Sequence, residues 1–234
     1  MEIHPASLGL RHIKLLEGTS PAVLERLARQ CAWRRFVAGQ ALISREAPSH
    51  DIFLIVAGTV RVNFYTAAGR QVSFRDLAAG DTAGEIAAID GGRRSADVIA
   101  LSDGLAAALG PAAFRQLLHE EPHVADRFMR HLVRLVRLLS EKVVELSTLG
   151  VQNRVHAEIL RLARAAAPVA GGRLIAPAPK HADIASRIST TREQVTRELS
   201  ALTRSGLLAR SGDGLLVTDV DRLAQMVEQA MLEA

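Results

Sequence analysis

Between Pro122 and Leu149 the chain runs without an internal glycine or proline. A stretch of that length with no backbone breaker predicts one continuous helix of roughly 40 Å at ~1.5 Å per residue. Along it Phe128, Leu132, Leu135, Leu139, Leu146 and Leu149 recur at steps of four and three, a heptad seam interrupted by Lys142. Two arrangements satisfy such a seam: an amphipathic helix laid on its own domain, or two copies of the helix paired in a homodimer through residues 124–149. The rod is longer than a small neighbouring domain needs to cover itself, which makes room for the second.

The flanks of this helix differ from each other. Ahead of it, a short helical pattern around Leu24, Leu27 and Ala28 leads into a region from Phe36 to Leu109 where apolar runs are short and Gly39, Gly58, Gly69, Gly80 and Gly91-Gly92 punctuate them. Asp51–Val56, Val60–Tyr65, Gln71–Leu77 and Ala96–Leu101 read as strands, spaced as in a small antiparallel barrel or jelly roll. After Gly150 come a helix at Arg154–Ala167, a Pro/Gly-containing connector at Pro168–Pro179, short helices at His181–Ile188 and Thr191–Arg204, and a hairpin at Leu207–Thr218 around Gly212-Asp213-Gly214. Helix, helix and two-stranded wing is the layout of a winged helix-turn-helix. The expected fold class is therefore α+β in three parts: a β-barrel domain over 1–118, a long helix over 119–149 and a winged helix-turn-helix over 150–234.

Composition narrows the function. With 29 Lys+Arg against 25 Asp+Glu and a net charge of +4, bulk charge does not announce a nucleic-acid binder, so any such affinity must be local. One region supplies it: from Arg187 to Arg210 there are five arginines and two glutamates. A single cysteine, Cys31, excludes an intramolecular disulfide and a four-thiolate iron–sulfur cluster, and fits a reducing cytoplasm. Met1–Leu10 lacks a basic start followed by an apolar run, and no segment reaches the ~18 apolar residues of a membrane span, so no membrane partner is expected. Aromatics at 3% argue against a stacking platform for single strands. His119-Glu120-Glu121-Pro122-His123 matches the H-E-x-x-H zinc pattern in letters, but Pro122 would break the helical face that pattern requires, so no metal site is expected. Neither a G-x-S-x-G elbow nor a Walker loop occurs, and the chain does not read as an enzyme.

The segment Gly84-Glu85-Ile86-Ala87-Ala88-Ile89-Asp90-Gly91-Gly92-Arg93-Arg94-Ser95-Ala96 sets a glycine and an acid ahead of a tight turn, then an arginine and a hydroxyl. Arg94 has the forked donors to neutralise a ring phosphate, Ser95 adds a hydroxyl, and the backbone N–H groups of Glu85, Ile86 and Ala87 suit an anion. Glu85 is left to accept from a ribose 2′-hydroxyl. The competing reading is a surface Glu–Arg pair beside a glycine turn. In the third region, His181-Ala182-Asp183-Ile184-Ala185 and Ile188 through Leu199 place apolar positions where two crossing helices touch, and project Thr191, Arg192, Glu193, Thr196 and Arg197 outward near one end. Arginine can read guanine O6 and N7, and glutamate cytosine N4. Glu193 has a second possible use, closing a capping box with Thr190.

The 84–96 segment resembles the phosphate-binding cassette of the cyclic-AMP receptor protein (Crp/Fnr) family of bacterial regulators, with Gly84, Glu85, Arg94, Ser95 and Ala96 matching. The Arg192-Glu193-x-Val195-x-Arg197 string is similar to that family's recognition helix. The resemblance extends over nearly the whole chain and implies a cyclic nucleotide effector (cyclic AMP or cyclic GMP), a homodimer, a near-palindromic site on double-stranded DNA, and RNA polymerase as a further partner. Two departures bear on it. Ser189 stands in the turn where the family commonly has glycine, and Leu139-Ser140 stand where the cyclic-AMP receptor protein has a Thr-Ser pair facing adenine. Leu139 cannot accept from the adenine amino group. By the same resemblance Arg75 is pocket-facing, where it could donate to guanine O6 and N7, unless it turns to solvent and Leu139 merely fills the seam.

Overall fold

The computed structural model describes residues 5–45, 47–67, 69 and 71–233. They open with α1 (Pro5–Leu10), a 3-10 turn at Lys14–Leu16 and α2 (Pro21–Gln30), whose first turn is capped by the Ser20 side chain. Eight strands follow: β1 (Ala32–Phe36), β2 (Ala41–Ile43), β3 (Ile52–Ala57), β4 (Thr59–Tyr65), β5 (Gln71–Ala78), β6 (Thr82–Ala83), β7 (Asp97–Ala100) and β8 (Gly104–Leu109), with α3 (Glu85–Asp90) between β6 and β7. They form two four-stranded sheets, ordered β1-β8-β3-β6 and β2-β7-β4-β5. Phe36, Phe53, Ile55, Ala106 and Ala108 of the first sheet and Ile43, Val60, Leu77, Val98 and Ala100 of the second enclose one core, a jelly-roll-like sandwich.

A second layer covers the outer face of β3 and β8. Because successive strand residues point to opposite faces, Ile52 and Leu54 of β3 and Ala107 and Leu109 of β8 turn away from the sandwich, into a cluster with Leu24, Leu27, Phe114, Leu117, Val124 and Phe128. This explains why β3 reads Ile-Phe-Leu-Ile with no polar alternation: it is covered on both sides. The helical cover includes α4 (Pro111–Glu120) and the start of α5 (Pro122–Thr148). Pro122 begins the new helix, so His119 and His123 of the zinc-like string fall on separate helices, and His123 Nε2 lies 3.2 Å from Thr19 Oγ1.

Along α5 the apolar pattern resolves differently from the expected seam. Val124 and Phe128 are buried and Leu132 packs against the same cluster, so this face belongs to the chain's own core. The apolar residues left exposed are Met129, Val133, Val136 and Val143, flanked by Leu138, Leu139 and Val144. The exposed stripe is thus offset by one residue, about 100° around the helix, from the Val124–Phe128–Leu132 face that the chain's own core claims, while Leu139 of the expected seam also stays exposed.

The chain divides into two compact units within α5, between Leu135 and Val136. The second contains α6 (Val151–Ala165), β9 (Ala167–Val169), β10 (Gly172–Ile175), α7 (His181–Arg187), α8 (Arg192–Arg204), β11 (Leu208–Ser211), β12 (Gly214–Val217) and α9 (Val220–Leu232). The expected connector at Pro168–Pro179 is corrected here: much of it is the β9–β10 hairpin, which joins the wing in a sheet ordered β11-β12-β10-β9. Val155, Ile159, Ile184, Ile188, Val195, Leu199, Leu202 and Leu223 form the core against that sheet. No described helix is long and apolar enough to cross a membrane.

Between α7 and α8 the backbone turns at Ser189, with φ 54°, and the Thr190 amide bonds to the Ala185 carbonyl at 3.0 Å. A left-handed conformation costs an L-residue about 1–2 kcal/mol, which glycine avoids. Ser189→Gly is therefore expected to stabilise the second unit by about 0.5–1 kcal/mol after glycine's larger unfolded-state entropy is offset. Urea denaturation of parent and variant checks this; a less stable variant would show that the serine side chain outweighs the backbone.

Candidate functional site

Two oppositely charged side chains are buried at one end of the sandwich, Glu85 at 3% exposure and Arg94 at 4%. Glu85 is the first residue of α3, which starts from Gly84 at φ 84°. A Cβ on residue 84 would come within 2.6 Å of Arg94 Nη1 and 2.9 Å of the Asp51 carbonyl oxygen, so only glycine lets the arginine pass. Arg94 donates from Nη1 to the Gly84 carbonyl (3.0 Å) and from Nη2 to Ser49 Oγ (3.1 Å) and the Asp51 carbonyl (2.8 Å). Its Nε is buried with no partner among the described residues. An unsatisfied buried donor costs about 1–3 kcal/mol, which an anion's oxygen would relieve.

Glu85 is not left free. Arg75 Nη2 donates to its Oε1 at 2.7 Å, and His131 Nε2 from α5 lies 3.3 Å from the same oxygen. Burial pushes the Glu85 carboxyl upward, but the His131 hydrogen bond, the Arg75 charge and the residue's own amide together outweigh it and hold the group below the usual range. Burial pulls the Arg94 guanidinium below its ordinary value against the opposing charges of Asp51 and Glu85. Arg75 thus faces inward rather than to solvent.

The other cassette positions divide. Ala87 is buried, whereas Ile86 and Ser95 are exposed. The amides of Glu85, Ile86 and Ala87 form the first turn of α3, where backbone N–H groups lack intrahelical acceptors. Leu139 and Ser140 lie exposed on α5 beyond the division between units. Gly84, Glu85, Arg94 and Arg75 are brought together, and Ser49, Asp51 and His131 join them without having been anticipated. Ser49 and Asp51 lie 45 and 43 positions from Arg94, and no local pattern marks them.

In the second unit, Arg192, Glu193, Thr196 and Arg197 stand exposed on α8 while Val195, Leu199 and Leu202 are buried. The capping arrangement is corrected by one residue: the N-cap is Thr191, whose side chain accepts from the Gln194 amide at 3.4 Å, not Thr190 with Glu193. The Glu193 carboxyl, held low by its own amide and then by the Thr191 hydroxyl, still lies against the helix start. Thr196 Oγ1 donates to the Arg192 carbonyl at 2.9 Å and sits 2.7 Å from His181 Nδ1, so its hydroxyl is occupied between α7 and α8. Arg187, which ends α7, reaches Glu158 of α6 at 3.4 Å, and Arg161 pairs with the same carboxylate.

A model of the cyclic nucleotide-binding domain matches residues 33–121, and a model of the Crp-like helix-turn-helix domain matches residues 153–226. The chain is 23% identical over 212 residues to the CRP-like cAMP-activated global transcriptional regulator of Mycobacterium tuberculosis, covering 90% of this chain and 95% of that one. It is 26% identical over 195 residues to the cAMP-activated global transcriptional regulator CRP of Salmonella typhimurium, covering 83% and 93%. Among solved structures, a CooA mutant from Carboxydothermus hydrogenoformans shares the fold at a TM-score of 0.78 and 20% identity over 92% of this chain and 94% of that one. The c-di-GMP responsive regulator CLP of Xanthomonas campestris does so at 0.72 and 19%, over 86% and 100%.

Because the Glu85 carboxyl is depressed by folding, it contributes stability above the ordinary glutamate pKa, and that contribution is lost as pH falls through its lower folded value. Glu85→Gln should cost about 1.5–3 kcal/mol at pH 7, the scale of hydrogen bonds to a charged group. Denaturant titrations at pH 7, 5 and below 4 are expected to show the gap closing as the parent's carboxyl protonates; a constant gap would contradict the assignment.

Proposed function

The chain belongs to the Crp/Fnr family of bacterial transcription regulators, and from that premise we propose a homodimer whose affinity for a DNA operator is set by a cyclic purine nucleotide held in the N-terminal sandwich. It is a regulator of the cyclic nucleotide-binding type, not an enzyme. The observation that carries the ligand reading is the gathering of Glu85, Arg75 and Arg94 at one end of the sandwich, with a buried Arg94 Nε still to be satisfied. When bound, the nucleotide supplies a phosphate for Arg94 and the first-turn amides of α3, and a ribose hydroxyl for Glu85.

Cyclic AMP is the first candidate, because the regulators of Mycobacterium tuberculosis and Salmonella typhimurium are described as cAMP-activated. Cyclic GMP is the second. Leu139 brings no hydroxyl for adenine, and Arg75 faces the pocket with donors beyond the one it gives Glu85. A ligand-independent sandwich is a third reading, favoured by two observations: both Nη atoms of Arg94 already bond to the protein, and Ser95 is exposed.

Met129, Val133, Val136 and Val143 give two copies of α5 a stripe to bury against each other. A twofold dimer presents two α8 helices to one face of the duplex, hence a near-palindromic operator with half-sites about one helical turn apart. Arg192 and Arg197 read bases or phosphates there, Glu193 beside the helix start serves as a further contact, and Thr191 and Thr196 hold the helix start in place. The regulator acts in the cytoplasm, with RNA polymerase as the partner whose promoter access it alters.

Calorimetry with cyclic AMP and cyclic GMP tests the pocket. Arg94→Ala is expected to weaken binding by 10-fold or more, since a charged hydrogen bond is worth about 1.5–3 kcal/mol. A guanine preference that survives Arg75→Ala would remove arginine as its cause, and binding of neither ligand would leave the ligand-independent reading. For the reader, in vitro selection of DNA sites with parent and Arg192→Ala should show a guanine preference relaxed in each half-site; equal weakening on all sequences would make Arg192 a phosphate contact.

A further inference from the structure

A cavity of about 530 Å³ opens in the first unit, beside the cassette but lined by none of its residues. Its walls are the 3-10 turn, the β5–β6 turn and one face of α5. The α5 face contributes Arg127, Arg130, His131 and Arg134, at steps of three and four that stack them on a single helix side. Lys14 adds a further cation from another wall, while among the described residues Glu17 and Asp81 are the acids of the lining. Like charges stacked in this way repel, and a fold gains nothing from such a face by itself.

The existing partners leave the cavity open to an anion. Lys14 Nζ bonds Asp81 at 2.8 Å but is 74% exposed, and Arg130 Nε bonds Asp126 at 2.8 Å but is 70% exposed. Exposed pairs of this kind are worth little and exchange readily. Arg127 bonds the Glu17 backbone oxygen and lies 3.6 Å from its carboxylate. Among the described residues Arg134 forms no ion pair. The floor is fixed: a Cβ at Gly80, φ 95°, would meet the His12 carbonyl oxygen at 2.9 Å. The volume suits a small molecule rather than a polymer backbone.

We propose that this cavity is a second effector site for a small polyanion carrying two or more phosphate groups, coupled to the neighbouring pocket through His131. The imidazole is the shared element, since it lines the cavity while its Nε2 lies 3.3 Å from Glu85 Oε1. An anion that draws His131 toward the cavity competes with Glu85 for the ring, and coupling of this kind is reciprocal. Occupancy of the cavity stands independently; the coupling rests on the reading of the adjacent pocket as a nucleotide site.

Calorimetry on the full chain with inorganic pyrophosphate as the probe tests both parts. Saturable binding of one pyrophosphate per chain is expected, weakened at least 10-fold in an Arg130→Ala/Arg134→Ala variant and largely kept in Arg134→Lys. That double variant should bind cyclic nucleotide as the parent does when pyrophosphate is absent. Saturating pyrophosphate should shift the parent's cyclic-nucleotide Kd at least threefold, and nucleotide should shift the pyrophosphate Kd by the same factor. Absence of saturable binding, binding that survives in the double variant, or binding abolished instead by Arg192→Ala/Arg197→Ala would overturn the site. An unchanged nucleotide Kd would overturn the coupling. If neither cyclic nucleotide binds, the pocket reading fails, and the pyrophosphate titration still decides the cavity.

Discussion

Burying a carboxylate and a guanidinium together is costly, and the sensor end of this protein is organised around meeting that cost. Glu85 and Arg94 do not satisfy each other. Glu85 is held by Arg75 from β5 and faced by His131 from α5, while Arg94 is held by two carbonyls and a serine hydroxyl from the segment before β3 and the turn before α3. Five separate parts of the chain are thereby fixed relative to one another by hydrogen bonds that only a charged pair can demand. Replacing either side chain by an apolar one would remove the demand and the geometry with it.

That arrangement also bears on how the proposed ligand would bind. Both Nη atoms of Arg94, and at least one oxygen of Glu85, bond to the protein itself. Under the proposed nucleotide reading a phosphate would add an acceptor for the Arg94 Nε and otherwise exchange with these protein partners, so most of the gain from binding is a difference between two bonded states. His131 carries this exchange onto α5, the helix whose next turns present Val133 and Val136 to solvent. The same helix thus carries a residue beside Glu85 and part of the exposed apolar stripe.

The second unit is built on a similar economy of polar contacts around an apolar core. Thr191 caps α8, Thr196 and His181 bridge the two crossing helices, and Glu158 receives both Arg161 and Arg187. Those contacts occupy side chains that would otherwise count as free readers, and leave Arg192 and Arg197 as the long, exposed cations at the start of α8. The arginine-rich patch therefore separates into structural members such as Arg187 and members open to a phosphate or a base.

The sequence by itself determined the order of parts and pointed to Gly84, Glu85 and Arg94 in one candidate site and Arg192 and Arg197 in the other. Helix and strand periods, glycine turns and the Gly84–Ala96 and Arg192–Arg197 strings are local, and local backbone preference is readable from neighbours in the chain. The tertiary structure alone decided what faces what. Ala106–Ala108 lie in a central strand whose methyls alternate between two cores, because packing on both sides overrides alanine's weak strand preference. The apolar repeat of α5 showed a stripe but not its owner, since burial of Phe128 and Leu132 depends on residues a hundred positions earlier. His131, Ser49 and Asp51 carried no signal for the same reason: a hydrogen bond is fixed by distance in space, and nothing in the chain near those residues encodes their approach to Glu85 and Arg94.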